Sequence, residues 1–181
     1  MDELSGADAI RVVPASPDDV AEIVALVNSA YRGESARDGW TNESELLSGA
    51  RTDSAMLSEA YVTGPATILL LRDAAGLAGC VLLEPAEETT TWYLGMLTVD
   101  PRRQASGMGR ALLSAAEDFV RGRGATRVKM TVITLRETLI AWYERRGYRR
   151  TGKSEPFPYD NDRIGTPLRD DLRFLILEKE L

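Results

Sequence analysis

Val99-Asp100-Pro101-Arg102-Arg103-Gln104-Ala105-Ser106-Gly107-Met108-Gly109-Arg110-Ala111-Leu112-Leu113 is the stretch whose reading decides the fold. A β-branched, apolar run stops at a proline, a polar loop with two glycines follows, and an Ala/Leu-rich helix begins. Strand, glycine loop and helix mouth in that order make an anion cradle. Glycine lets backbone amides approach a phosphate closely, and the first turn of a helix offers unsatisfied N–H groups and a positive dipole end. A Walker loop would need Gly-Lys-Ser/Thr, but Arg110 and Ala111 follow Gly109. A dinucleotide fingerprint would need a third glycine where Leu112 stands.

The remaining pattern is Gln104-x-x-Gly107-x-Gly109, between Val99-Asp100-Pro101 and Leu112-Leu113. It resembles the pyrophosphate loop of the GNAT superfamily, the acyl-CoA-dependent N-acyltransferases. Leu139-Ile140-Ala141-Trp142-Tyr143-Glu144-Arg145-Arg146-Gly147-Tyr148 resembles that family's second signature. Leu139 and Tyr143, four apart, share one helix face; Arg145 and Arg146 suit a helix C-terminus, and Gly147 supplies a left-handed cap. The resemblance covers roughly residues 9 to 150. It implies a cradle in which the backbone of Gln104, Ala105, Ser106, Gly107, Met108, Gly109 and Arg110 holds the CoA pyrophosphate. It also implies that the pantetheine arm pairs with the strand edge at Met96, Leu97, Thr98 and Val99, since a bare edge offers unpaired amides and carbonyls. Three departures stand out, one of them Leu139 where the family usually has alanine. Arg136 occupies the position of a frequent CoA-contacting asparagine and could instead reach a phosphate, and Ala105 replaces a frequent glycine.

Composition narrows the classes. The chain has 181 residues, 44% of them hydrophobic, which suits one α/β domain over 1–181. No apolar run approaches membrane-spanning length, and the N-terminus lacks a charged-then-apolar signal pattern, so no membrane partner is expected. The net charge of −6 argues against nucleic-acid binding. Cys80 is the lone cysteine and suits a reducing cytoplasm. With no histidine anywhere, His-based acid–base catalysis, Ser-His-Asp triads and His-ligated metals are excluded, and no metal is expected.

The pattern along the chain predicts a strand over Ala9–Val13, then a helix started by Ser16-Pro17-Asp18-Asp19 with Val20, Ile23, Val24, Val27 and Tyr31 on its buried face. A short helix near Asn42–Leu47 and a hairpin around Asp73–Gly76 follow. Thr91–Val99 reads as a strand, the loop helix runs from about Gly107 to Arg121, and Arg127–Ile133 reads as the next strand. After the Tyr143 helix come strands at Tyr148–Gly152 and Leu172–Glu178, separated by a proline-rich loop. Antiparallel pairing before Pro85 and crossovers after it make the sheet mixed. The resemblance sharpens this to the GNAT fold: a mixed central sheet of six to seven strands, helices on both faces, and a splay between the central parallel strands.

Acetyl transfer to an amine needs a neutral amine, a polarised thioester and a proton for the departing thiolate. By resemblance Tyr143 supplies that proton. A phenol pKa near 10 lies above the ~8.5 of a thiol, so the proton can be shared without full ionisation. Packing of Tyr143 with Leu139 against the sheet is the structural alternative. Glu84, at a strand end beside the expected splay, is the best-placed carboxylate for the amine's proton; a water chain, or a merely solvated Glu84, are the alternatives. Cys80 reads as a core residue. Arg102, Arg103 and Arg110 flank the loop as candidate phosphate contacts, and Tyr31, Trp40, Trp92 and Phe157 are candidates for an acceptor pocket. The expected activity is acetyl-CoA-dependent N-acetylation of a small-molecule or peptide amine, with a homodimer among the expected states. A CoA-sensing or protein-interaction domain that has lost transfer is the alternative.

Overall fold

The computed structural model describes residues 10–32, 41–104 and 106–181; Ala9, Trp40 and Ala105 lie outside them. In chain order the strands are β1 (Arg11–Pro14), β2 (Leu47–Ser48), β3 (Thr67–Asp73), β4 (Gly76–Pro85), β5 (Thr91–Val99), β6 (Arg127–Ile133), β7 (Arg149–Pro156), β8 (Thr166–Pro167) and β9 (Arg173–Glu180). The α-helices are α1 (Val20–Tyr31), α2 (Ser54–Leu57), α3 (Met108–Arg121) and α4 (Glu137–Glu144). Among the described residues, seven strands form one sheet in the order β1-β3-β4-β5-β6-β9-β7, and β2 pairs with β8 separately. Only β5 and β6 are parallel neighbours; the other pairings are antiparallel.

Strand alternation sorts the core into two layers, because successive side chains point to opposite faces. Ile68, Leu70 and Cys80 meet Ile23, Val27, Ala30 and Tyr31 of α1 on one side. Leu69, Leu71, Val81 and Leu83 meet Leu112, Leu113, Ala116 and Val120 of α3 on the other, where Leu139, Ile140 and Tyr143 of α4 join the same cluster. Helices therefore cover both faces. Cys80 is fully buried, and burial pushes its thiol up to about 12, which suits a small core side chain.

The start of α1 follows the sequence closely. Ser16 and Asp19 form a capping box, with the Ser16 amide and hydroxyl donating to Asp19 at 2.7 and 2.9 Å. Pro14 closes β1 within the strand rather than before it, which an edge position tolerates. The predicted helix at Asn42–Leu47 does not form. Asn42 Oδ1 instead accepts from the Ser44 amide at 2.9 Å, and Leu47–Ser48 pairs with Thr166–Pro167. An Asx turn here competes with helix, and the chain gains a ladder. Helix α2, which the polar sequence hid, is capped by Asp53 accepting from the Met56 amide at 2.8 Å.

Candidate active site

Strands β5 and β6 pair only at Thr91↔Arg127, Trp92↔Val128 and Tyr93↔Lys129. Beyond Tyr93 they separate, and this is the splay. The register of β4 on β5 shifts between Cys80↔Thr98 and Leu82↔Gly95, so β5 carries a bulge there. Met96 sits in it at φ 54°, a left-handed conformation unusual for a residue with a Cβ. The opening widens into a cavity of about 300 Å3 whose walls include Tyr31, Glu43, Arg51, Met96, Arg136 and Tyr143. That volume is at the small end of the ~300–1,000 Å3 typical of ligand pockets.

Tyr143 reaches the cavity because α4 ends in a fixed way. Tyr148 N–H donates to Tyr143 O at 3.2 Å and Gly147 N–H to Glu144 O at 3.0 Å, a Schellman pair that requires the left-handed turn at Gly147, φ 93°. Arg146 Nη1 donates to Trp142 O at 2.7 Å. The Tyr143 ring packs edge-on to Trp142 and Tyr148, with centroids 5.0 and 5.5 Å away. Among the described residues its hydroxyl has no hydrogen-bond partner. Burial raises the Tyr143 pKa well above a phenol's ordinary value, so Oη keeps its proton at neutral pH and faces the cavity as a donor.

The loop after β5 is braced from inside. Asp100 accepts from the Arg102 amide at 3.0 Å and from its guanidinium at 3.1 and 2.8 Å, while Arg103 pairs with Asp73. Gln104 turns inward: its Nε2 donates to Val99 O at 3.0 Å and Thr41 Oγ1 at 3.4 Å. Ser106 Oγ donates to Arg103 O at 2.6 Å. Gly107 caps α3 in the left-handed conformation, φ 79° and ψ 0°, with open space where a Cβ would stand. Ala111 N–H is the first to find a helix carbonyl, Gly107 O at 3.1 Å, so the amides of Met108, Gly109 and Arg110 lie at the mouth. Arg110 borders an outer groove of about 580 Å3 with Arg145, Arg146 and Lys179.

The strand edge expected to face a ligand is partly occupied. Leu97 O accepts from Tyr31 Oη at 3.0 Å, and Thr98 Oγ1 donates back to Met96 O at 2.9 Å. Burial pushes the Tyr31 phenol up to about 12, which keeps it a donor to Leu97. Arg136 sits at the N-cap of α4, and its Nη1 is 3.1 Å from Glu43 Oε1, so the guanidinium faces the cavity rather than the phosphate loop. Glu84 is not brought to the cavity. It borders a second depression with Met56, Glu59 and Arg163, and Ile164 lines both. Of the aromatic candidates Tyr31 lines the cavity. Trp92 packs edge-on to Phe119, 6.4 Å away, and Phe157 is buried with Leu47, Ile133 and Leu172.

Sequence reasoning missed the charged group around Glu43. Glu43 Oε2 lies 3.2 Å from Arg32 Nη2, Arg136 closes the other side, and all three side chains are at most 10% exposed. Arg51 stands over the Tyr31 ring, 5.4 Å from its centroid. These residues sit in polar segments with no periodicity, and only folding gathers them.

Similarity to known proteins bears on the family and on the fold. The family model described as the acetyltransferase (GNAT) family matches residues 34–148. A mycothiol acetyltransferase of Clavibacter michiganensis is 40% identical over 86 residues, which is 47% of this chain and 28% of that protein. The match thus spans little more than a quarter of the relative. A GNAT-family protein of Desulfovibrio desulfuricans superposes with a TM-score of 0.70 at 21% identity, over 95% of this chain and 99% of its own. A Salmonella typhimurium protein solved with its cofactor acetyl-CoA gives a TM-score of 0.65 at 18% identity, over 96% of this chain and 95% of its own. At such identities the two structures speak for the fold.

Proposed function

The chain belongs to the acetyltransferase (GNAT) family, and from that premise we propose that it transfers an acetyl group from acetyl-CoA to a primary amine by direct attack in a ternary complex. The observation that carries this reading is the unpaired stretch of β5 and β6 with Tyr143, whose hydroxyl has no hydrogen-bond partner among the described residues, at its wall. The residues present fit the cosubstrate. The open left-handed cap at Gly107 and the free mouth of α3 suit a diphosphate, and Arg110, Arg145 and Arg146 give the neighbouring groove a positive rim. The β5 edge suits an amide-bearing arm.

When bound, acetyl-CoA supplies the acetyl group as a thioester and the thiol as leaving group. Residues 104–110 hold the phosphates through backbone amides, and Tyr31 fixes the β5 edge by gripping Leu97 O. Tyr143 presents a retained proton to the sulfur, acting as a hydrogen-bond donor rather than a full acid, because burial lifts it so far above a thiol. Glu84 has no direct part in this reading. As the C–N bond forms and the C–S bond breaks, the CoA sulfur leaves as a thiolate that accepts the Tyr143 hydrogen bond. The proton lost by the amine passes through water to solvent.

Calorimetric titration with CoA, followed by thiol release from acetyl-CoA across a panel of amines, tests the proposal. Saturable CoA binding with amine-dependent thiol release is expected. Binding without release on any amine supports a CoA sensor instead, and no binding removes the cradle altogether.

A further inference from the structure

We propose that the amine acceptor is a small molecule carrying a carboxylate, of amino-acid type, and that Arg51 binds that carboxylate. This rests on the acetyl-transfer reading and names its substrate class. The cavity wall has more guanidinium than it can neutralise from within. Glu43 is the one carboxylate among the described lining residues, and it is already shared between Arg32 at 3.2 Å and Arg136 at 3.1 Å. Arg51 also lines the wall, yet among the described residues its guanidinium has no ion pair and no hydrogen bond.

Arg51 is also placed, rather than left to solvent. Its backbone N–H donates to Asn28 Oδ1 at 2.7 Å, Thr52 N–H donates to the same oxygen at 3.1 Å, and Asn28 Nδ2 donates to Thr52 O at 2.9 Å. One side chain of α1 thus grips the segment at three points. One helical turn on, Tyr31 provides the ring on which the guanidinium rests, and Tyr31 is anchored through Leu97 O. A planar fork of donors held against an aromatic face matches a carboxylate bidentately. The surplus positive charge bears on Arg32 as well. Burial lowers its pKa, Glu43 opposes that, and Arg51 adds to the lowering. A ligand carboxylate relieves this repulsion, whereas a bare ammonium ion would enter a region of its own sign. The cavity volume of about 300 Å3, shared with the acyl end of the cosubstrate, fits an acceptor of amino-acid size.

The test compares L-amino acids with their C-terminal amides and the matching decarboxylated amines, using the full chain and acetyl-CoA. We expect kcat/KM to favour the acids by about 10- to 100-fold, the scale of hydrogen bonds to a charged group. In Arg51→Gln that preference falls toward one, mainly through KM, with CoA affinity unchanged. Titration of the CoA-bound protein with the same compounds gives a readout independent of turnover. Arg51-dependent binding of the acids with no acetylation of any amine would sink the transfer reading, and with it the acceptor role, while leaving the carboxylate site at Arg51 standing. Equal turnover and equal binding of acids, amides and amines, or an equal loss for all three in Arg51→Gln, overturns it.

Discussion

The sequence offers both Tyr143 and Glu84 as proton carriers, and only Tyr143 is among the residues that line the cavity. Tyr143 stands at the cavity with no hydroxyl partner among the described residues, while Glu84 lines a second depression that shares Ile164 with the first. Tyr143→Phe removes one donor and little else, since the ring still packs on Trp142 and Tyr148. Steady-state kinetics should show kcat lowered about tenfold to a hundredfold, the low end of proton-transfer contributions, with CoA affinity within twofold. Glu84→Gln should leave kcat within twofold. Because burial holds the Tyr143 phenol above its ordinary value, any alkaline limb below pH 10 belongs to another group and persists in the phenylalanine variant. Equal kcat in wild type and Tyr143→Phe would leave the tyrosine a packing residue. Tyr143 was legible because its helix carries its own periodicity and cap. Arg51 and Glu43 were not, because their roles come from contacts with Tyr31, Arg32 and Arg136 that no local pattern encodes.

At the level of elements, the parts with strong local codes came out of the sequence nearly residue for residue. Thr91–Val99 and Arg127–Ile133 are strands β5 and β6 as read, and α3 starts one residue after Gly107. Glycine and proline signals and apolar periodicity act within one element, so they survive without the rest of the fold. The segment 41–53 failed that test, because its strand β2 exists only against β8, more than a hundred residues away. Gly107 marks where local code and site coincide. Its φ of 79° costs a residue with a Cβ about 1–2 kcal/mol, while the open space around it excludes a clash. Gly107→Ala should therefore lower the thermal midpoint by about 2–8 °C, taking ~2–4 °C per kcal/mol for a chain of this size. It should also weaken CoA binding, because relaxing the strain re-aims the amides of Met108, Gly109 and Arg110. An alanine variant with wild-type midpoint and wild-type CoA affinity would show that the left-handed cap does not shape the cradle.

For the molecule as a whole, the splay is a weakness that something else must offset. Three residue pairs join β5 to β6, so the β1-β3-β4-β5 half with α1 and the β6-β9-β7 half with α4 meet over a short seam. The segment after α1 straps them together. Glu43 reaches across to Arg136, Arg32 Nη2 donates to Ile164 O at 3.1 Å, Leu168 N–H donates to Leu46 O at 2.9 Å, and β2 pairs with β8. Glu43 is the centre of this strap, since its carboxylate pairs with two buried guanidinium groups. Breaking a buried pair from one side leaves uncompensated charge and costs ~3–5 kcal/mol, far above the ~0–1 kcal/mol of an exposed pair. Glu43→Gln should thus lose about 3 kcal/mol in urea unfolding, with the thermal midpoint down by ~6–12 °C. Glu59→Gln, which removes the exposed pair with Arg163, should stay within about 1 kcal/mol of wild type. A cosubstrate that fills the seam adds stability of its own: acetyl-CoA at a hundred times its dissociation constant contributes ~2.7 kcal/mol by mass action. It should restore most of what Glu43→Gln removes if the cradle and β5 edge hold the ligand without Glu43. If both variants unfold at the same urea concentration, the strap is not what closes the seam, and the two apolar layers alone hold the halves together.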